Sequence, residues 1–426
     1  MNNFLVRYQN IMGKINYAVF LATVVLLPLP QVFARHAWIA WLITWILEMR
    51  FLKKENINPW KKMLPFLLFG AWYIWKLISG LWSKDLEAYH WFVERYMTFG
   101  LLIPVGIWGV NSQYDWKQIC RTLVIGCIFS AFFYTITLYW VNHANIPLEE
   151  FGELPRQEFS LTFFTETISY IKHRLFLCSI MMTGIMAILY IRQDICDKYG
   201  PKLGWIMIGL CIIIMSLLIL ATGSRASILS GAGLITVALL YKLPIRKIRY
   251  QIAFIVFAAA IGFFALAQHP RMNEVNLKQE LRTNVISKEQ NPRLNIWRIA
   301  LENRSEYSAY GIGAGQSFGY LQLKYREHQI YHYRQLNAHN QYLEEWIEIG
   351  IPGMIFFILA WMSILYCATD KGRKTATLLV TLYGLNMLTD CMFGRFDGIA
   401  LWSTFMILIL LQSDTQCHQQ ASGDAQ

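Results

Sequence analysis

The sequence predicts an all-α integral membrane protein, and three observations carry that prediction. The 426 residues are 55% hydrophobic and 15% aromatic but only 15% charged, with a mean hydropathy of +0.35, a balance unlike that of a soluble chain of this length. The apolar residues fall into blocks whose helical length matches the hydrocarbon thickness of a bilayer. Short clusters of Lys and Arg separate those blocks. The net charge of +11 therefore reads as basic loops at a membrane face, with no nucleic-acid partner implied.

About twelve spans follow, near 15–31, 33–49, 64–82, 96–110, 119–141, 172–191, 203–221, 226–241, 250–268, 350–368, 374–389 and 396–412. With the N-terminus in the cytoplasm and strict alternation, the basic clusters Arg50/Lys53/Lys54/Lys61/Lys62, Lys117/Arg121, Arg192/Lys198/Lys202, Lys242/Arg246/Lys247/Arg249 and Lys371/Arg373/Lys374 all land on the cytoplasmic side. One missed span would scatter them. Both termini are then cytoplasmic. Val32-Phe33-Ala34 resembles a signal-peptidase site, but the preceding apolar run is long for a signal segment and favours an uncleaved first helix. The eight cysteines form no CxxC and imply no disulfide framework.

The external face differs in character. Its 142–169 connection is acidic, with Glu149, Glu150, Glu153, Glu158 and Glu166. A loop of about 70 residues, His269 to His339, is long enough to be functional. It contains a helix-like piece, "RLNIWRIALENR", and a run of aromatics that argues for a folded helical subdomain. The organisation is thus 1–268 with nine spans, 269–340 as the external subdomain, 341–412 with three spans, and 413–426 as a cytoplasmic tail. "SGLWSKDLEAYHWFVERY" (79–96) reads as an interfacial amphipathic helix.

Candidate chemistry gathers on that external face. In "ATGSRASILSG", Ser224 is placed to cap the eighth span, with Arg225 in its first turn. A cation there opposes the helix dipole unless an anion arrives from outside, and free N–H groups plus a guanidinium suit a phosphate. The alternative is an interfacial arginine snorkelling to headgroups. Arg293 opens the loop helix in the same way, with solvated loop charge as its alternative. His339 stands at the membrane boundary in "NAHNQYLEEWIEIGIPG", with Glu344, Glu345 and Glu348 following. A carboxylate that orients an imidazole suits general-base work. A metal site is disfavoured, because no HExxH and no His pair at i,i+4 is present. "GIGAGQSF" (311–318) lacks GK[ST] and is no nucleotide loop. His173 and Arg174 open the sixth span, and Asp390 and Arg395 lie in the last external turn, either as site residues or as a structural ion pair. Two arginines and a histidine on one face fit a pyrophosphate-linked lipid substrate plus a base, with "GIPG" as the turn that starts the tenth span.

The series "TGSRAS", "RLNIW…YGIGAG" and "AHNQYLEEWIEIGIPG" resembles the O-antigen ligase and polymerase superfamily of bacterial inner-membrane glycosyltransferases, most nearly the lipopolysaccharide ligase branch. The resemblance implies a GT-C-like helical fold and an undecaprenyl-pyrophosphate-linked glycan as donor. In the ligase branch the acceptor is a sugar hydroxyl of lipid A–core, reached with inversion and with neither metal nor cofactor. The family's two arginines map onto Arg225 and Arg293 and its histidine onto His339; Ser224, His173, Arg174, Glu344, Asp390 and Arg395 are supporting expectations. Where relatives carry a glutamate and "ERQ"-like residues before the last span, this chain has "TDCMFGRFDG". Polymerisation of the same donor is the alternative, followed by ligation to a protein and by solute transport. The lack of charges near the middle of any span points away from transport.

Overall fold

The computed structural model describes residues 2–52, 56–110, 114–143, 171–222, 224, 227, 230–231, 233–234, 292–330, 336–368 and 370–411. Among these, every regular element is helical: α1 (Asn2–Leu26), α2 (Gln31–Leu47), α3 (Trp60–Ile78), α4 (Leu86–Trp108), α5 (Trp116–His143), α6 (Arg174–Tyr190), α7 (Arg192–Tyr199), α8 (Pro201–Ala221), α9 (Pro292–Glu302), α10 (Ser317–Glu327), α11 (Gln341–Cys367), α12 (Asp370–Met387) and α13 (Phe396–Leu411). Four described segments, Trp60–Trp82, Trp116–Trp140, Pro201–Ala221 and Gln341–Cys367, are long and apolar enough to cross a bilayer. The pair α6 and α7, bent by 54°, makes a fifth if it is one span. The expected spans at 15–31, 33–49, 96–110, 374–389 and 396–412 overlap α1, α2, α4, α12 and α13, which are shorter or more polar. The acidic 142–169 connection lies outside the described residues beyond His143, as do most of the 226–241 span, the 250–268 span and the loop up to 291.

The chain divides into two compact units. The first comprises residues 1–54, 110–232 and 414–426. Its α1 and α2 form a hairpin turned by the "LPLP" break, since proline cannot extend a helix through its interior. A polar staple ties the hairpin: Asn16 Nδ2 donates to the Trp41 carbonyl at 3.0 Å and to Thr44 Oγ1 at 2.9 Å, while Tyr114 donates to Asn16 Oδ1 at 2.8 Å. Lys172 Nζ donates to the carbonyls of Leu27 and Leu29, each at 2.8 Å, satisfying backbone acceptors beyond the end of α1. Lys117 Nζ and Arg121 Nη2 meet Asp194 at 2.8 and 3.0 Å, so two of the basic clusters expected in the cytoplasm share one end of the unit. α8 is apolar on every side and exposes Trp205, Ile206, Ile213 and Leu217, as a helix facing lipid does.

The second unit comprises residues 55–109 and 233–413. Its core is aromatic: Phe69 stacks on Phe99 at 5.2 Å, Trp72 meets Phe357 at 5.2 Å, and Trp361 meets Trp402 at 4.1 Å. The 79–96 stretch is not a separate interfacial helix. Asp85 caps α4 through Oδ1 and the Ala88 N–H at 3.0 Å, and α4 continues without a break to Trp108. The segment from α9 to the first turns of α11 has its own apolar cluster, in which Ile296 and Ile299 of α9, Tyr307, Leu321 and Tyr325 of α10 pack with Leu343 and Ile347 of α11.

α11 is two helical pieces joined at Gly350, whose φ of 63° and ψ of −167° leave the helical region. The "GIPG" turn therefore does not begin this element; Asn340 does, accepting the Leu343 N–H through Oδ1 at 3.1 Å. Pro352 has no N–H to give the Glu348 carbonyl, and the break withdraws the Ile351 N–H from Ile347. The glycine-rich loop fills both vacancies. Ile312 donates to Ile347 O at 3.0 Å and Gly313 to Glu348 O at 2.9 Å, while Ile351 turns to Ser308 O at 2.9 Å. Trp75 Nε1 takes the Ile349 carbonyl at 3.0 Å. The loop's glycines are required because Gly311 and Gly350 abut backbone to backbone, at positive φ, with no room for a Cβ on either.

Candidate active site

His339 precedes the Asn340 cap of α11 with a φ of 46°, a left-handed conformation uncommon for a residue with a side chain. Local bonds hold it there. Its N–H donates to Asn337 Oδ1 at 3.1 Å, and the Ala338 N–H donates to Glu344 Oε2 at 3.0 Å. The Ala338 carbonyl accepts the Trp297 indole N–H at 2.8 Å. Trp297 lies one turn beyond Arg293 on α9, so the helix that Arg293 opens is pinned to the residue beside His339.

The imidazole looks toward the turn between α12 and α13. His339 Nδ1 is 3.5 Å from Asp390 Oδ1, ion-pair range and long for a hydrogen bond. Asp390 Oδ1 also accepts the Cys391 N–H at 2.8 Å, which fixes that carboxylate. Both side chains are partly open, at 27% and 16% exposure. With Nδ1 facing the carboxylate, Nε2 is the nitrogen that can take a proton from a bound group.

The three glutamates face elsewhere. Lys76 of α3 is fully buried and reaches Glu345 Oε2 at 2.9 Å and Glu348 Oε2 at 3.0 Å. Its ammonium also lies 4.6 Å from the Tyr96 ring centre and 5.2 Å from that of Trp72. Trp72 Nε1 donates to Glu345 Oε2 at 2.9 Å, and Gln341 Nε2 to Glu345 Oε1 at 2.7 Å. The Gly315 N–H donates to Glu348 Oε1 at 3.1 Å. Glu344, expected beside the histidine side chain, instead meets Ser317 Oγ at 2.5 Å and supports the backbone at Ala338. Lys76, in the last turn of α3, is the functional-site neighbour that the sequence reading missed. Its signal was a single cation within an otherwise apolar run.

The remaining candidates lie as follows. Arg395 is exposed at the start of α13, across the 3-10 turn Met392–Gly394 from Asp390. Arg95 of α4, stacked 3.6 Å over the Trp91 ring, donates to the Gly394 carbonyl and secures that turn. His173 occupies the position before α6 without a side-chain capping bond and Arg174 is the first residue of that helix, both in the first unit. Ser224 Oγ accepts the Ser227 N–H at 3.4 Å. Arg225 lies outside the described residues.

Residues 210–358 match the family model described as O-antigen ligase. That segment is similar to the O-antigen ligase and polymerase superfamily. No curated protein matches it. The superfamily is one of membrane glycosyltransferase-like enzymes. The matched segment takes in Ser224, Arg225, Arg293, His339 and all three glutamates, and leaves out Lys76, His173, Arg174, Asp390 and Arg395.

Proposed function

We propose that this protein is the ligase that moves an O-polysaccharide from undecaprenyl pyrophosphate onto a sugar hydroxyl of lipid A–core, at the periplasmic face of the inner membrane. The observation that carries the reading is His339, held in a left-handed backbone beside Asp390 and tied through Ala338 and Trp297 to the helix of Arg293. His339 Nε2 takes the proton of the acceptor hydroxyl as its oxygen attacks the anomeric carbon. The bond from that carbon to the diphosphate breaks with inversion, and undecaprenyl pyrophosphate leaves. Asp390 orients the ring and balances the imidazolium that forms. Arg293 and Arg225, with Arg174 and the Ser224 helix start in support, hold the leaving diphosphate by charge-assisted hydrogen bonds and neutralise it without a metal. A helical GT-C-like fold of about twelve spans with both termini in the cytoplasm completes the proposal.

The test replaces His339, Arg225 and Arg293 by alanine in a strain lacking the gene. Loss of smooth lipopolysaccharide, with the protein still in the membrane, is expected for each. Full-length ladders from all three variants sink the assignment. The superfamily match covers polymerases too, and the deletion strain separates the branches. A missing ligase leaves long polymer on undecaprenyl pyrophosphate, whereas a missing polymerase leaves a single repeat on the core.

A further inference from the structure

Ser317 sits between two carboxyl groups, with Oγ 2.5 Å from Glu344 Oε1 and 2.9 Å from Glu348 Oε1. A hydroxyl has one proton to give. If both glutamates were ionised, one of these contacts would set lone pairs against each other in a dry interior, which is strongly unfavourable. One glutamate must therefore donate to the serine.

The surrounding N–H donors identify which. Glu348 Oε1 receives Gly315 and its Oε2 receives Lys76. Glu345 Oε1 receives Gln341, and its Oε2 receives Trp72 and Lys76. Glu344 Oε2 receives the Ala338 N–H. Among the described residues, Glu344 Oε1 is the one oxygen of the three carboxyl groups with no N–H donor, and it faces the Ser317 hydroxyl at 2.5 Å. A proton there also spares the site a third buried anion, since among the described residues Lys76 is the cation paired with the cluster.

We propose that Glu344 is a neutral carboxylic acid: it donates to Ser317, Ser317 donates to Glu348, and the other Glu344 oxygen holds the backbone at Ala338, making Glu344 a positioning residue for His339. The positioning half rests on the base role proposed for His339; the protonation half does not. The two are tested separately. Infrared spectra of the full-length protein in nanodiscs are recorded for wild type and for Glu344→Gln, whose amide can give the same two hydrogen bonds. Their difference should show the carbonyl stretch of a protonated acid above the amide I band, shifted in D2O. The same band should survive in Glu348→Gln. A difference spectrum without it overturns the protonation. For positioning, Glu344→Gln should keep most of the ligation activity, while Glu344→Ala loses about 100-fold through displacement of the loop. Equal loss in both variants, with the amide variant still folded, overturns the positioning role. If His339→Ala keeps its ladders, the functional reading fails while the infrared result stands.

Discussion

Two ionic sites flank the start of α11 and solve opposite problems. On one side Lys76, Glu345 and Glu348 are sealed from solvent, with every carboxylate oxygen taken. On the other, His339 and Asp390 are partly open, at a distance too long for a good hydrogen bond. A buried ion cluster of this kind is a poor source of net stability, because desolvation offsets the Coulomb gain, but it is very sensitive to the loss of one partner. A partly open pair that is reachable from solvent can close on a third group. The sealed site fixes geometry, and the open one is fit for chemistry.

The largest expected effect breaks the sealed side. Lys76→Ala strands two buried carboxylates and should cost about 3–5 kcal/mol, read as a lowered thermal midpoint or loss of the monodisperse peak in detergent. Next comes the open side, where His339→Gly should separate stability from activity. Glycine is at ease at a φ of 46°, so the midpoint should hold or rise, while ligation falls by about 100-fold or more. A midpoint that collapses in that variant would make His339 structural. Gly350→Ala attacks the element shared by both sites. At a φ of 63° its Cβ would lie 2.6 Å from the Gly311 nitrogen, and a loss of about 1–3 kcal/mol should appear in thermal unfolding.

The smallest effect lies between α9 and α10. Hydrogen bonds from Lys324 and then Tyr320 hold the Glu306 carboxyl below the usual carboxylate range. Because its folded-state value is depressed, Glu306 contributes stability that is fully present above the unfolded carboxylate value and is lost as pH falls through the folded one. At 45% exposure that contribution is at most about 1 kcal/mol. Glu306→Gln should flatten the acid side of the stability profile by that amount and leave neutral pH ligation alone.

Much of this was legible in the chain. Hydropathy blocks and basic loops predict helices, and α3, α5, α8 and α11 are long apolar ones. The spacing of Leu294, Trp297 and Leu301 announces α9. What escaped was pairing across long separations. Nothing local distinguishes Lys76 from a snorkelling lysine, because its partners lie some 270 residues on. The three glutamates after His339 read as its neighbours, but helical geometry turns Glu344, Glu345 and Glu348 onto the face that meets α3 and α10. "GIGAG" is recognisable as punctuation, while its use as a backbone partner for a broken helix depends on a proline forty residues later.

That partnership bears on biogenesis. Chains emerge N-terminus first, and the glycine loop and Trp75 both precede the helix whose carbonyls they receive. The interrupted segment therefore meets its partners as it leaves the insertion machinery, and its exposed carbonyls need never wait in lipid. A rearranged gene placing α11 ahead of that loop would reverse the order and deliver an unmated break into the bilayer.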